Sequence, residues 1–133
     1  MSRFQPYGWH TVTPRIIVRE PKELIAFMTA VFGAKGDLGA NRPAEMRIGD
    51  SVIIVSDGGG LREPISAFLY VYVEDTDAIY DRAIQAGAES LEVPTEMPYG
   101  DRRAMVKDAW GNLWQIATHK DAAPVSEKRK HAS

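Results

Sequence analysis

With 133 residues the chain has room for one hydrophobic core, and 44% hydrophobic against 26% charged residues is the balance of a folded globular domain. The absence of cysteine removes disulfides, zinc–thiolate centres and thiol nucleophiles together. A net charge of −2 lacks the basic excess of a nucleic-acid binder, and no apolar run approaches the roughly 20 residues that a bilayer demands.

The N-terminal MSRFQPYGWH has no basic stretch followed by an apolar run, so the chain is expected in the cytoplasm. Residues 15–19, RIIVR, then read as a strand because β-branched side chains fit a pleated surface. Pro21 suits the first position of a helix, where a missing N–H costs nothing. Leu24, Phe27, Met28, Val31 and Phe32 recur at helical spacing on one face, and Gly33 ends the helix. Ala44–Ile48 and Val52–Val55 read as two strands joined by the Gly49-Asp50 turn. Asp57-Gly58-Gly59-Gly60 reads as a linker, since a phosphate-cradling loop would need a following helix and a Lys-Ser/Thr pair.

The same order then returns. Phe68–Val73 is a strand, Asp75 a helix N-cap, and Ile79, Tyr80, Ala83 and Ile84 a helical face closed by Gly87. Arg103–Lys107 and Leu113–Thr118 are strands around the turn Asp108–Asn112. Val18 matches Val73, Leu24 matches Ile79, Gly33 matches Gly87 and Gly49 matches Gly111. The second copy carries a few extra residues, placed in a loop at Pro94–Pro98. Further irregular strands are expected near 37–42 and 90–93. Residues 120–133, with the basic run Lys128-Arg129-Lys130, read as a flexible, solvated tail.

Several runs carry a resemblance in their order and spacing: Phe32-Gly33-Ala34, residues 44–51, Val73-Glu74-Asp75-Thr76-Asp77, Ala86-Gly87-Ala88, Tyr99-Gly100-Asp101-Arg102 and residues 108–119. Over about residues 10–119 the chain resembles the vicinal oxygen chelate superfamily of glyoxalases, bleomycin-resistance proteins and extradiol dioxygenases, most of all its PhnB-like branch. That resemblance implies an α+β fold of two βαβββ modules, about 10–57 and 66–119, within one domain over 1–119. It implies a curled sheet around a shared cavity, helices outside, and a homodimer. It does not decide function, because the superfamily holds metal-dependent isomerases, lyases and dioxygenases as well as proteins that only sequester drugs.

In metal-using members each module gives one ligand from its first strand and one from its last. Those positions fall here near Thr13, Ile53, Phe68 and Gln115, and only Gln115 offers a good donor oxygen. His10, His119 and His131 lie away from them, so neither a metal nor any other cofactor is expected. Strand alternation places Phe68, Tyr70 and Tyr72 on the cavity side, with Leu113, Gln115, Ala117 and His119, and leaves Leu69, Val71, Trp114 and Ile116 to meet a helix. Arg15 is also expected inward, paired with Glu45 or Asp101, placed at a dimer interface, or in contact with an anionic ligand. One of Arg102 and Arg103 faces the cavity too.

The expected function is metal-independent binding of a small molecule, aromatic or anionic, by Arg15, Phe68, Tyr70, Tyr72, Arg103 and Gln115. Drug or metabolite sequestration would be its use. The alternative is a glyoxalase-like lyase or isomerase, or a dioxygenase-related enzyme, which would require Glu45, Asp101 or His119 to converge on one point. No residue is singled out as catalytic by the sequence. Nucleic acid and membrane are not expected partners.

Overall fold

The computed structural model describes residues 4–39, 42–58 and 63–120. Residues 121–133 of the expected tail and Gly59-Gly60 of the linker lie outside them. The order is β1 (Arg15–Val18), α1 (Pro21–Phe32), β2 (Ala44–Ile48), β3 (Ser51–Asp57), β4 (Phe68–Tyr72), α2 (Thr76–Gln85), β5 (Glu89–Glu96), β6 (Asp101–Lys107) and β7 (Leu113–His119). The strands form two sheets, ordered β1-β3-β2 and β4-β7-β6-β5, and β1–β3 and β4–β7 are the parallel pairs. This is the expected α+β architecture with its internal repeat.

Local chemistry explains the element ends. Gly33 takes φ 67°, and the N–H groups of Gly33 and Ala34 cap the carbonyls of Thr29 and Met28. The Asp75 carboxylate accepts from the Ala78 N–H at 3.2 Å, satisfying a free donor of the first turn of α2.

The two modules differ in one strand. The extra residues of the second copy build β5, so Pro94 sits inside a strand rather than in a loop, at a register shift between Glu92 and Thr95. The connection that follows is the tight turn Met97–Gly100, closed by the Gly100 N–H on the Met97 carbonyl. In the first module an isolated Lys35–Arg47 bridge stands in the corresponding place, and residues 37–39 form no strand. Gly36 beside it has φ 142°, and a Cβ there would lie 2.3 Å from the Glu45 carbonyl oxygen, so only glycine fits.

One core joins both halves. Ile16, Val18, Met46, Ile53 and Val55 of the first sheet meet Leu24, Met28 and Val31 of α1. The same cluster takes in Ala83, Val106, Trp114 and Ile116 of the second half. The Phe32 ring reaches Trp114 at 5.0 Å between centroids, which locks the end of α1 onto the second module. Leu69 and Val71 pack against this core, as strand alternation predicts. No helix among the described residues is long and apolar enough to cross a membrane.

Candidate functional site

Register decides what meets on the side of the second sheet turned away from the helices. Tyr70 lies opposite Gln115 and then Met105, Tyr72 opposite Ala117 and then Arg103, and His119 opposite Asp101. Ala117 is small and fully buried, so the row between Tyr72 and Arg103 carries no bulk to hold the phenol rings away from β6.

The rings converge on Asp101, which is 1% exposed. Its Oδ2 accepts from Tyr70 Oη at 2.6 Å and from Tyr72 Oη at 3.0 Å, and its Oδ1 lies 2.7 Å from His119 Nδ1. Burial alone would raise the Asp101 pKa. The hydrogen bonds from Tyr70, His119 and Tyr72 outweigh it and hold the carboxyl below its usual range. Burial first, and then the bond to Asp101, push the pKa values of Tyr70 and Tyr72 up, so both phenols keep their protons.

A second polar group adjoins the first. Arg103 forms a two-pronged pair with Glu92 (Nε–Oε1 2.8 Å, Nη2–Oε2 3.0 Å) and donates from Nη1 to Tyr99 Oη at 2.9 Å. Its bond to Glu92 raises the Arg103 pKa and lowers that of Glu92. Arg102 turns to the other side, where Asp77 and Glu96 engage it. Both guanidiniums are therefore committed to carboxylates of the chain itself.

These carboxylates fix the sign of the acid response. Asp101 and Glu92 titrate below their ordinary values of 3.8 and 4.5, so each stabilises the fold above that value and loses the contribution as pH falls through the depressed one. The urea midpoint is expected to hold down to about pH 5 and then to drop steeply towards about pH 3. A midpoint that stayed level across that window would contradict the charged state assigned to both groups.

Tyr70, Tyr72 and His119 open onto a cleft of about 1210 Å³. Its other walls are Phe32, Ile48, Val52 and Ile53 from the first module, Leu69 and Val71 on β4 with Val73 just after it, and Ala78, Ile79 and Arg82 on α2. The expected site residues are thus only partly brought together. Tyr70 and Tyr72 line the cleft, with ring centroids 5.3 Å apart. Gln115 is half-buried beside Tyr70, and Phe68, 61% exposed, stands one row further along the sheet. Arg103 stands in the Tyr72 row but is bound to Glu92. Arg15 is exposed on the first sheet, outside the cleft, and among the described residues makes no ion pair with Glu45 or Asp101. Of Glu45, Asp101 and His119, the last two converge and Glu45 does not, lying on β2 opposite Ile54.

The four metal-ligand positions can now be tested on their chemistry. Arg15 pairs with Ile54 as Tyr70 pairs with Gln115, so the counterpart of Gln115 is Ile54, one residue beyond Ile53. Ile53 itself belongs to the hydrophobic core at the inner wall of the cleft. Ile53, Ile54 and Phe68 all lack a lone pair, and among the described residues no three His, Cys, Asp or Glu side chains form a metal-holding group. The residues present do not fit a metal held in the superfamily's manner.

Comparison with known proteins agrees with the fold. A TioX structure from Micromonospora sp. ML1 superposes with TM-score 0.72 at 22% identity, over 83% of this chain and 98% of that one. A fosfomycin resistance protein, FosX from Mesorhizobium loti, superposes with TM-score 0.62 at 19% identity, over 90% of this chain and 97% of that one. An uncharacterized protein of Mycobacterium bovis is 26% identical over 122 residues, covering 79% of this chain and 80% of its own. The family profile described as Glyoxalase/Bleomycin resistance protein/Dioxygenase superfamily matches residues 9–116, so the chain, with its repeated modules, belongs to that superfamily.

Proposed function

We propose that the protein binds a small, partly aromatic organic molecule in the cleft between its modules, without a metal, and serves to sequester or deliver it. The observation that carries this reading is the Tyr70–Tyr72–His119 wall, pinned by one buried carboxylate and faced by apolar side chains. A cysteine-free chain suits the cytoplasm, and the Tyr99–Arg102 and Asp108–Asn112 runs support the PhnB-like branch. We also place it as a homodimer. The support is the superfamily resemblance, together with the open outer edge of β5, which among the described residues pairs only with β6 and exposes Leu91 and Val93.

The test is a thermal-shift screen of planar aromatic compounds followed by titration. A true ligand at about 100 times its Kd should stabilise the fold by about 2.7 kcal/mol, and a Tyr70→Ala/Tyr72→Ala double variant should lose most of that gain. No stabilising compound, or a gain unchanged in the double variant, would sink the reading.

The Asp101–His119 contact favours a second reading, acid–base catalysis. A carboxylate on Nδ1 orients the imidazole, and neutral His119 would hold its free nitrogen as a base. Chemical change of a bound compound, abolished in His119→Ala, would put the enzyme first.

A further inference from the structure

The hydrogen bonds around Asp101 fix the polarity that the site shows to a ligand. Tyr70, Tyr72 and His119, the side chains around Asp101, line the cleft, and each has a proton to give. The buried carboxylate takes all three: two phenol protons on Oδ2 and, with the imidazole neutral, the Nδ1 proton on Oδ1. Each group is then left with a lone pair, two on phenolic oxygens and one on His119 Nε2.

The charges nearby point the same way. Among the described residues Arg82 is the only Lys or Arg in the cleft lining, against Asp50, Glu74 and Asp75. Arg102 and Arg103, the cations closest to the cluster in sequence, are neutralised by Asp77, Glu96 and Glu92. An anion entering here would meet lone pairs and carboxylates. A donor would meet three acceptors beside two aromatic faces that themselves attract cations.

We infer that the cleft takes an aromatic molecule bearing a protonated amine, with the ammonium seated on Tyr70 Oη, Tyr72 Oη and His119 Nε2. This rests on the proposal that the cleft binds a small molecule, and it reverses the anionic preference suggested by the arginines in the sequence.

The probes are three naphthalenes of one shape, 2-naphthylmethylamine, 2-naphthalenemethanol and 2-naphthoate, titrated at about pH 8 by calorimetry or NMR. The amine should bind at least about tenfold tighter than the carboxylate, with the alcohol between them. An Asp101→Asn variant should erase or invert that order, because the amide can donate to His119 Nδ1 and move the imidazole proton to Nε2. Tyr72→Phe, at a position 62% exposed, is a second variant that leaves the core untouched and should cost the amine several-fold while sparing the carboxylate. Equal or tighter binding of the carboxylate by the native protein would overturn the inference and leave the cleft standing as a binding site. Failure of all three probes to bind would count against the cleft itself, and the inference would fall with it.

Discussion

An Asp108→Ala protein is expected to lose about 3–5 kcal/mol of unfolding free energy, a large part of what a domain of this size possesses. Asp108 Oδ1 accepts from the Trp110 and Asn112 backbone N–H groups, each at 2.9 Å. Its Oδ2 accepts from Asn112 Nδ2 at 2.9 Å and Trp114 Nε1 at 2.8 Å. Asn112, itself fully buried, passes the connection on by accepting from the Ala67 N–H at 2.8 Å, just before β4 begins. Removing the carboxylate leaves four donors in or near the interior without their acceptor, so the loss far exceeds one ordinary hydrogen bond. Denaturant unfolding monitored by circular dichroism measures it. A change below about 1 kcal/mol would mean that water replaces the carboxylate and the network contributes little.

Trp114→Ala should cost a similar amount, about 3–5 kcal/mol, by a different route. The indole is fully buried, packs on Phe32 and belongs to the core that joins the two modules. Its loss opens a cavity at the joint between α1 and β7, so the modules should loosen together and the denaturant slope should change as well as the midpoint. Trp114→Phe separates the terms, keeping most of the volume while dropping the bond to Asp108. Because Trp114 and Asp108 touch, the double variant should fall short of the sum of the single losses by about 1 kcal/mol or more. Full additivity would argue that the indole N–H does not depend on the carboxylate.

Much of the fold was legible because its signals are local. The bounds of β2 and α1, the Gly33 stop and the Asp75 cap follow from periodicity and end chemistry. The sorting of Leu69, Val71, Trp114 and Ile116 from Tyr70, Tyr72 and Gln115 follows from strand alternation. β5 was harder to read, since Pro94 at a register shift imitates a loop.

The polar cluster was the least legible. Asp101 is 31 residues from Tyr70 and 18 from His119, and they meet only because β7 lies between β4 and β6. Asp101 and His119 could each be named as acid–base candidates and Tyr70 and Tyr72 as cavity residues, but their convergence needed the strand order. Arg103 misled for a related reason. Its partner Glu92 lies in the strand expected near 90–93, but only the pairing of β5 with β6 brings that carboxylate to the guanidinium.

The repeat has divided its labour. Asp101, Tyr70, Tyr72 and His119 all come from the second module, whereas the first contributes Phe32, Ile48, Val52 and Ile53 as an opposing surface. Under the proposed binding role, the Asp101 cluster that would select a ligand lies in the second module alone, while both modules shape the apolar wall around it. Substitutions before residue 58 can widen or narrow the cleft with the Asp101 cluster left intact, which would give a binder of the proposed kind a short evolutionary path from one compound to a bulkier relative.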